Sequence, residues 1–281
     1  MTYLQLLKQF NEAEHRVYWH NLRFMKSTIF FLTLSLFLFS CSKDENPVTP
    51  TDPNASLKEG LVAYYPFNGN ANDESGNNLH GSIVGSVTFS DNRYFEGGKA
   101  AFLPGAANYI NVPDNSKLQL KEKMSIYVEF LPLDESAAML VGKRNYGTGQ
   151  QAWGLSINYN TPAQFSVIKE GRCSDNNSTS DWSYGFSDNS ETVKIGCWNY
   201  LVAVIDGGTQ TIYLNGKRVL NQPGSGFTQM AGCAGTDIRF GTWWSGDQVS
   251  FRGKLDEIRI YNRVLFESEI RRLYKFDGTG S

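Results

Sequence analysis

The sequence predicts an all-β sandwich of two antiparallel sheets, and three observations carry that expectation. Strand-like runs are short and bounded by Gly, Asn and Asp turn signals. Several of them alternate apolar and polar residues with a period of two, as a half-buried strand must. The chain is also rich in glycine (27 residues) and in aromatic side chains (14%). At 281 residues it is long enough to bury a large core in one such domain. Its net charge is −2, with no basic block in the folded part. Nucleic-acid binding is therefore not expected, because phosphate contacts need clustered positive charge.

The N-terminus reads as an address. Ile29 to Ser40 is an apolar run preceded by Arg23 and Lys26 and followed by Cys41. It is too short for a transmembrane helix, which needs about 20 apolar residues, and it has the length of a signal-peptide core. Residues 1–40 are accordingly predicted to be a signal peptide. Met25 opens a leader of ordinary length, and residues 1–24 read as an extension from a miscalled upstream start. Leu38-Phe39-Ser40-Cys41 resembles a bacterial lipobox, although Phe39 is bulky for its position. The resemblance implies a lipid on Cys41, hence a lipoprotein held to a membrane. Ser42 to Asn46 (SKDEN) resembles the signal that places lipoproteins of Bacteroidetes-type bacteria on the outer membrane, facing the cell exterior. Pro47 to Ser56 is Pro-rich and reads as an extended spacer. The expected organisation is a tether over 41–59, a folded domain over 60–276 and a tail over 277–281.

With Cys41 assigned to lipid, Cys173, Cys197 and Cys233 remain as disulfide candidates. One bridge at most can form, one thiol is left over, and the sequence does not choose among three pairings. No CxxC spacing exists, and His80 is the single histidine beyond the leader, so a zinc site is not expected.

Strand candidates follow in order. Leu61 to Phe67 ends at the Asn68-Gly69-Asn70 turn, and Ser82 to Ser90 and Asn108 to Val112 come next. Ser125 to Leu131 alternates Ile126, Val128 and Phe130 against Ser125, Tyr127 and Glu129. Tyr200 to Ile205 is nearly continuous in apolar residues and turns at Asp206-Gly207-Gly208 into Thr211 to Leu214. Asn215-Gly216 then predicts a type I′ hairpin into Lys217 to Leu220, because Asn-Gly supplies two positive φ angles. Asp237 to Gly241 and Lys254 to Tyr261 close the series. Phe266 to Lys275 reads as a short helix, with Phe266, Ile270, Leu273 and Tyr274 on one face and acids in the first turn. Trp153 and Trp198 begin strand-like runs and read as core.

Five segments in this order resemble the laminin-G-like family of concanavalin A-like jelly rolls. They are Leu61 to Gly81, Phe95 to Phe102, Tyr109 to Pro113, Trp198 to Val219 and Phe251 to Tyr274. The resemblance implies a jelly-roll sandwich of two antiparallel sheets with one short C-terminal helix. Phe130 stands where the family often has Trp, and Phe266 where a small residue usually caps the last helix. Arg172 to Glu191 reads as a family-variable loop.

The resemblance also implies a structural calcium, held by the matching acids Asp73 and Asp256. The alternative is that Asp73 closes an Asx-turn and Asp256 is a structural acceptor. Glycoside hydrolysis needs two carboxylates on one groove, as at i and i+2 of a strand. No such strand occurs, and the adjacent Asp256 and Glu257 are expected on opposite faces. An enzyme is therefore not expected unless acids from separate strands converge. Sugar binding needs aromatic faces with polar groups around them. Trp182 and Tyr184, Trp243 and Trp244, and more weakly Arg144 and Tyr146, lie in segments rich in small and polar residues. They read either as a ligand platform or as packing of loops onto the sandwich edge. The expected function is a non-catalytic binding domain on a surface lipoprotein, taking a glycan. A protein-binding or adhesive module is the alternative, and a glycoside hydrolase or lyase the third reading.

Overall fold

The computed structural model describes residues 54–145, 150–158, 163–169, 173, 182–223, 228–243 and 249–275. The leader, Cys41, most of the tether, Tyr146, Trp244 and the tail lie outside the described residues. For Trp182 only the backbone is described.

The fold is the expected sandwich of two antiparallel sheets. One has eight strands, here numbered in chain order. Its path runs β13 (Lys217–Gln222), β12 (Thr209–Leu214), β11 (Asn199–Asp206), β6 (Lys123–Pro132), β15 (Arg252–Tyr261), β4 (Ala100–Pro104) and β3 (Thr88–Ser90). β1 (Leu61–Tyr65) joins the upper half of β15, while β4 pairs with its lower half. The other sheet has seven strands: β10 (Trp182–Phe186), β9 (Gln164–Ile168), β8 (Gln151–Ile157), β7 (Ala138–Arg144), β14 (Asp237–Phe240), β5 (Tyr109–Val112) and β2 (Ser82–Val84).

The period-two pattern places the core. Met124, Ile126, Val128 and Phe130 of β6 enter one continuous apolar cluster with Trp153 and Leu155 of β8 and Phe165 and Val167 of β9. The Asn-Gly hairpin forms as read, with φ +50° at Asn215 and +80° at Gly216. A disulfide joins Cys173 to Cys233, and Cys197 is an exposed free thiol.

A second apolar cluster lies on the outer face of the eight-stranded sheet. There Ile270 and Leu273 of helix α1 (Glu267–Lys275) pack with Tyr127, Val202, Val204 and Tyr261. Phe266, at the N-cap, contributes no capping side chain. Glu269 supplies half of a capping box by accepting the Phe266 N–H at 2.9 Å. Among the described residues no helix is long and apolar enough to cross a membrane.

Several expectations are corrected. The folded region starts before residue 60: Ala55–Lys58 form a 3₁₀ turn whose Leu57 is buried under α1, and Arg263 donates to the Ser56 carbonyl. Ser82 to Ser90 is two strands in different sheets, because Gly85 turns the chain at φ +79°. Arg172 to Glu191 contains β10 and is not all loop. Trp153 is core, but Trp198 is half-buried. Phe266 is 69% exposed and Tyr274 37%, so the buried face of α1 is narrower than its apolar spacing suggested.

Candidate functional site

The seven-stranded sheet builds a trough on its outer face. Residues directly opposite in an antiparallel pair share a face. One such row runs Tyr184, Ser166, Gly154 and Gly142 across β10, β9, β8 and β7. The next row runs Phe186, Gln164, Ser156 and Met139. The middle of both rows is small or polar and the β10 end is aromatic. Tyr184 and Phe186 stack with ring centroids 5.9 Å apart and planes 17° from parallel, and Phe186 is 47% exposed.

Trp243 forms the opposite wall. It lies on the two facing glycines: a Cβ at Gly142 would meet its ring at 2.7 Å and one at Gly154 at 2.9 Å. No other residue type lets the indole sit this close to the sheet. The buried Arg144 guanidinium lies 5.5 Å from the ring centroid, a cation–π contact that supports the indole. Tyr184 and Trp243 line one cavity of about 380 Å³, with Gln151, Ser156, Gln164 and Ser166 between them. No charged side chain is among the described residues that line it. Partial burial raises the pKa of the Tyr184 phenol, so its hydroxyl stays protonated at neutral pH.

The structure thus brings Trp243 to Tyr184 across one cavity and to Arg144 by a cation–π contact. Tyr184 and Arg144 lie on strands β10 and β7, while Trp243 lies in the segment after β14, as expected of a loop residue. Phe186 was missed. Its signal was present in WSYGF, where Trp182, Tyr184 and Phe186 alternate with Ser183 and Gly185.

The acids lie elsewhere. Asp73 accepts four hydrogen bonds, from the Tyr64, Ser75 and Leu79 backbone N–H groups and from the Ser75 hydroxyl, all at 2.9 Å. The bond to Ser75 N–H is an Asx-turn. A carboxylate has about four acceptor positions, so Asp73 has none left for a cation. Among the described residues no group of three or more His, Cys, Asp or Glu could hold a metal. The two acids therefore do not fit a shared calcium: Asp73 is saturated by hydrogen bonds, and Asp256 faces Glu129.

Asp256 belongs to a different constellation, on the outer face of the eight-stranded sheet. It opposes Glu129 across β15 and β6. Asp256 and Glu257 do not take opposite faces. Glu257 is an extra residue in a β-bulge, at φ +51°, and the bulge cancels the alternation. Glu257 accepts from Tyr64 Oη at 2.7 Å and from Arg259 at 2.6 Å. Acids from separate strands do converge here, but Glu129 and Asp256 are only 2% and 3% exposed. Burial pushes Glu129 up to about 7, and burial with the nearby Glu257 charge pushes Asp256 up to about 9. Arg93 covers Glu129, with Nε at 3.4 Å, and also donates to the Tyr200 hydroxyl. A closed cluster of this kind gives no room for a substrate.

Residues 104–271 match the laminin-G-type family described as the concanavalin A-like lectin/glucanases superfamily. The chain belongs to that family. Among solved structures it is similar to domain 4 of AbnA, a GH43 extracellular arabinanase from Geobacillus stearothermophilus, in complex with arabinotriose. That likeness has 22% identity and a TM-score of 0.58, and covers 76% of this chain and 98% of that one. It is similar to the botulinum neurotoxin serotype D ligand-binding domain in complex with N-acetylneuraminic acid. There the identity is 16% and the TM-score 0.59, covering 79% of this chain and 52% of that one. It is also similar to the binding domain of Paraclostridial Mosquitocidal Protein 1, at 18% identity and a TM-score of 0.59, covering 78% and 52%. The chain spans about half the length of these two toxin structures. At these identities the likeness is one of fold. No curated protein sequence matches.

Proposed function

We propose that this chain is a lipid-anchored surface protein whose domain binds a glycan without acting on it. The observation that carries the reading is the trough itself. Tyr184 faces Trp243 across an uncharged floor of Ser and Gln, within one cavity of about 380 Å³, and Phe186 stacks on Tyr184 beside it. Aromatic faces take the C–H side of a sugar ring, and side-chain amides and hydroxyls take its hydroxyl groups. Similarly folded domains in complex with arabinotriose and with N-acetylneuraminic acid support a saccharide as the ligand class. The non-catalytic reading is supported by the lining, which has no carboxylate among its described residues.

Calorimetric titration with arabinotriose and a wider set of oligosaccharides tests this. Trp243→Ala and Tyr184→Ala are each expected to lose about 1 kcal/mol of binding, roughly fivefold, while the melting temperature changes little. Unchanged affinity in both variants would refute the groove as the site. The anchor is tested separately. Cys41→Ala is expected to move the protein out of the membrane fraction and to abolish fatty-acid labelling. Equal labelling of the variant would remove the lipid from the proposal.

A further inference from the structure

The trough does not end beside β8. A second cavity, of about 290 Å³, adjoins the first and shares Ile157 and Asn158 with it. A linear ligand lying on Tyr184 and Trp243 would pass Asn158 to reach the second cavity. The lining of the second cavity is chemically different. Asp134 and Glu135 come from the turn after β6, while Val193 and Ile195 come from the segment before β11. Ile195 is 40% exposed and Val193 half-buried, so one wall is an apolar patch of the kind that takes sugar C–H groups. Asp134 accepts from the Ser136 N–H at 3.1 Å, and its cation contact, Arg252, is 3.9 Å away with both side chains well exposed. An exposed pair at that distance compensates little charge. Glu135 is exposed as well. One end of the path is thus uncharged and aromatic, and the other carries two carboxylates.

We propose that the path holds an oligosaccharide of two or more residues, and that the Asp134–Glu135 end disfavours anionic sugars while accepting neutral or amine-bearing ones. This rests on the glycan reading of the first cavity. A uronate or sialate carboxylate placed there meets two like charges, and no charged side chain among the described residues lining the first cavity offsets them. Each cavity is of small-ligand size, so filling both requires more than one sugar unit. Specificity of this kind comes from the repulsive element as much as from the attractive one.

The test is titration of the full chain with mono- and trisaccharides of matched size. The neutral probes are arabinotriose, maltotriose and N-acetylchitotriose, each with its monosaccharide. The charged probes are trigalacturonate and the glucosamine trimer. At least one neutral trimer is expected to bind tenfold or more tighter than its own monosaccharide. Trigalacturonate is expected to bind more weakly than the glucosamine trimer by about tenfold at low salt, a gap that narrows as salt rises. The double variant Asp134→Asn, Glu135→Gln is expected to close most of that gap and to leave neutral-trimer affinity within about twofold. Both side chains are on the surface, and a thermal melt checks that the variant folds. The proposal is overturned if monosaccharides bind as tightly as trimers, or if the double variant keeps the full charge discrimination. Binding that depends on Trp243 but shows neither length nor charge dependence sinks this proposal alone. If no saccharide in the set binds, the glycan reading falls and takes this inference with it.

Discussion

The outer faces of the two sheets solve the same problem in opposite ways. On the eight-stranded sheet the outward side chains are large aromatics and ionisable groups: Tyr127 and Glu129 on β6, and Asp256, Glu257, Arg259 and Tyr261 on β15. Helix α1 and the segment bearing Arg93 cover them. Because that face is covered, each charge needs a partner, and Arg93–Glu129 and Arg259–Glu257 are the ion pairs that result. On the seven-stranded sheet the corresponding positions are Gly142, Gly154, Ser156, Ser166 and Gln164, which leave room for the Trp243 indole over the glycines and an open trough beside it. The difference teaches that a sandwich can reserve one outer face for stability and the other for recognition. The size of the outward residues decides which face is which.

The strongest way to break that contrast is to remove a cation from the covered face. Arg93→Ala leaves Glu129 buried without its ion-pair partner and is expected to cost about 3 kcal/mol at pH 8, read by chemical denaturation. The loss should shrink near pH 5, where Glu129 is protonated. An equal loss at both values would show that packing, not charge, holds the covered face.

A smaller effect, of opposite sign, is expected from Asp256→Asn. Asp256 and Glu129 have folded-state values raised above those of an unfolded chain, to about 9 and about 7. The folded protein therefore binds more protons than the unfolded one between the ordinary carboxylate range and about pH 9. Stability falls as pH rises through that window and levels off above it. Asn keeps an acceptor for the Glu257 N–H, which Asp256 now takes at 2.8 Å, and carries no charge. Asp256→Asn is expected to stabilise the protein at pH 8 by at least about 1 kcal/mol, since one pKa unit corresponds to about 1.4 kcal/mol. It should also flatten the stability profile between pH 5 and 9. Thermal melts across that range measure both, and a variant with the parent's slope would contradict the assignment.

The smallest change in stability sharpens the open face. At Gly154 an added Cβ meets the Trp243 ring at 2.9 Å, so Gly154→Ala must lift the indole off the sheet. Saccharide binding is expected to weaken several-fold with less than about 1 kcal/mol lost in folding, read by titration and melts on the same sample. Unaltered binding would mean that the position of Trp243 over the glycine floor does not matter.

How much of this was legible differs between the sheets. Most strands of the eight-stranded sheet were read directly, because β6, β11, β12, β13 and β15 carry strong apolar runs or alternation. In the seven-stranded sheet β7, β9 and β10 were not assigned as strands, and β8 only as a strand-like run from Trp153. The outward positions of β8 and β9 are Gly, Ser and Gln, which weaken the alternation that marks a strand, whereas β10 alternates aromatic with small residues inside a segment read as a loop. The same residues make the groove, so the feature that builds the site also hid it. Tyr184, Trp243 and Arg144 were picked for their residue types in polar surroundings, but their convergence was not deducible.

By itself the sequence determined the sandwich, its turns and its short C-terminal helix. Those follow from local periodicity and from residues such as Asn215 and Gly216 that permit only certain backbone angles. Only the tertiary structure decided which of three cysteines pair, that Asp256 and Glu257 share a face, and that Trp243 rests on Gly142 and Gly154. Each of these depends on register between segments distant in the chain. Register is set by many weak cross-strand contacts acting together, and no local pattern of residues encodes it.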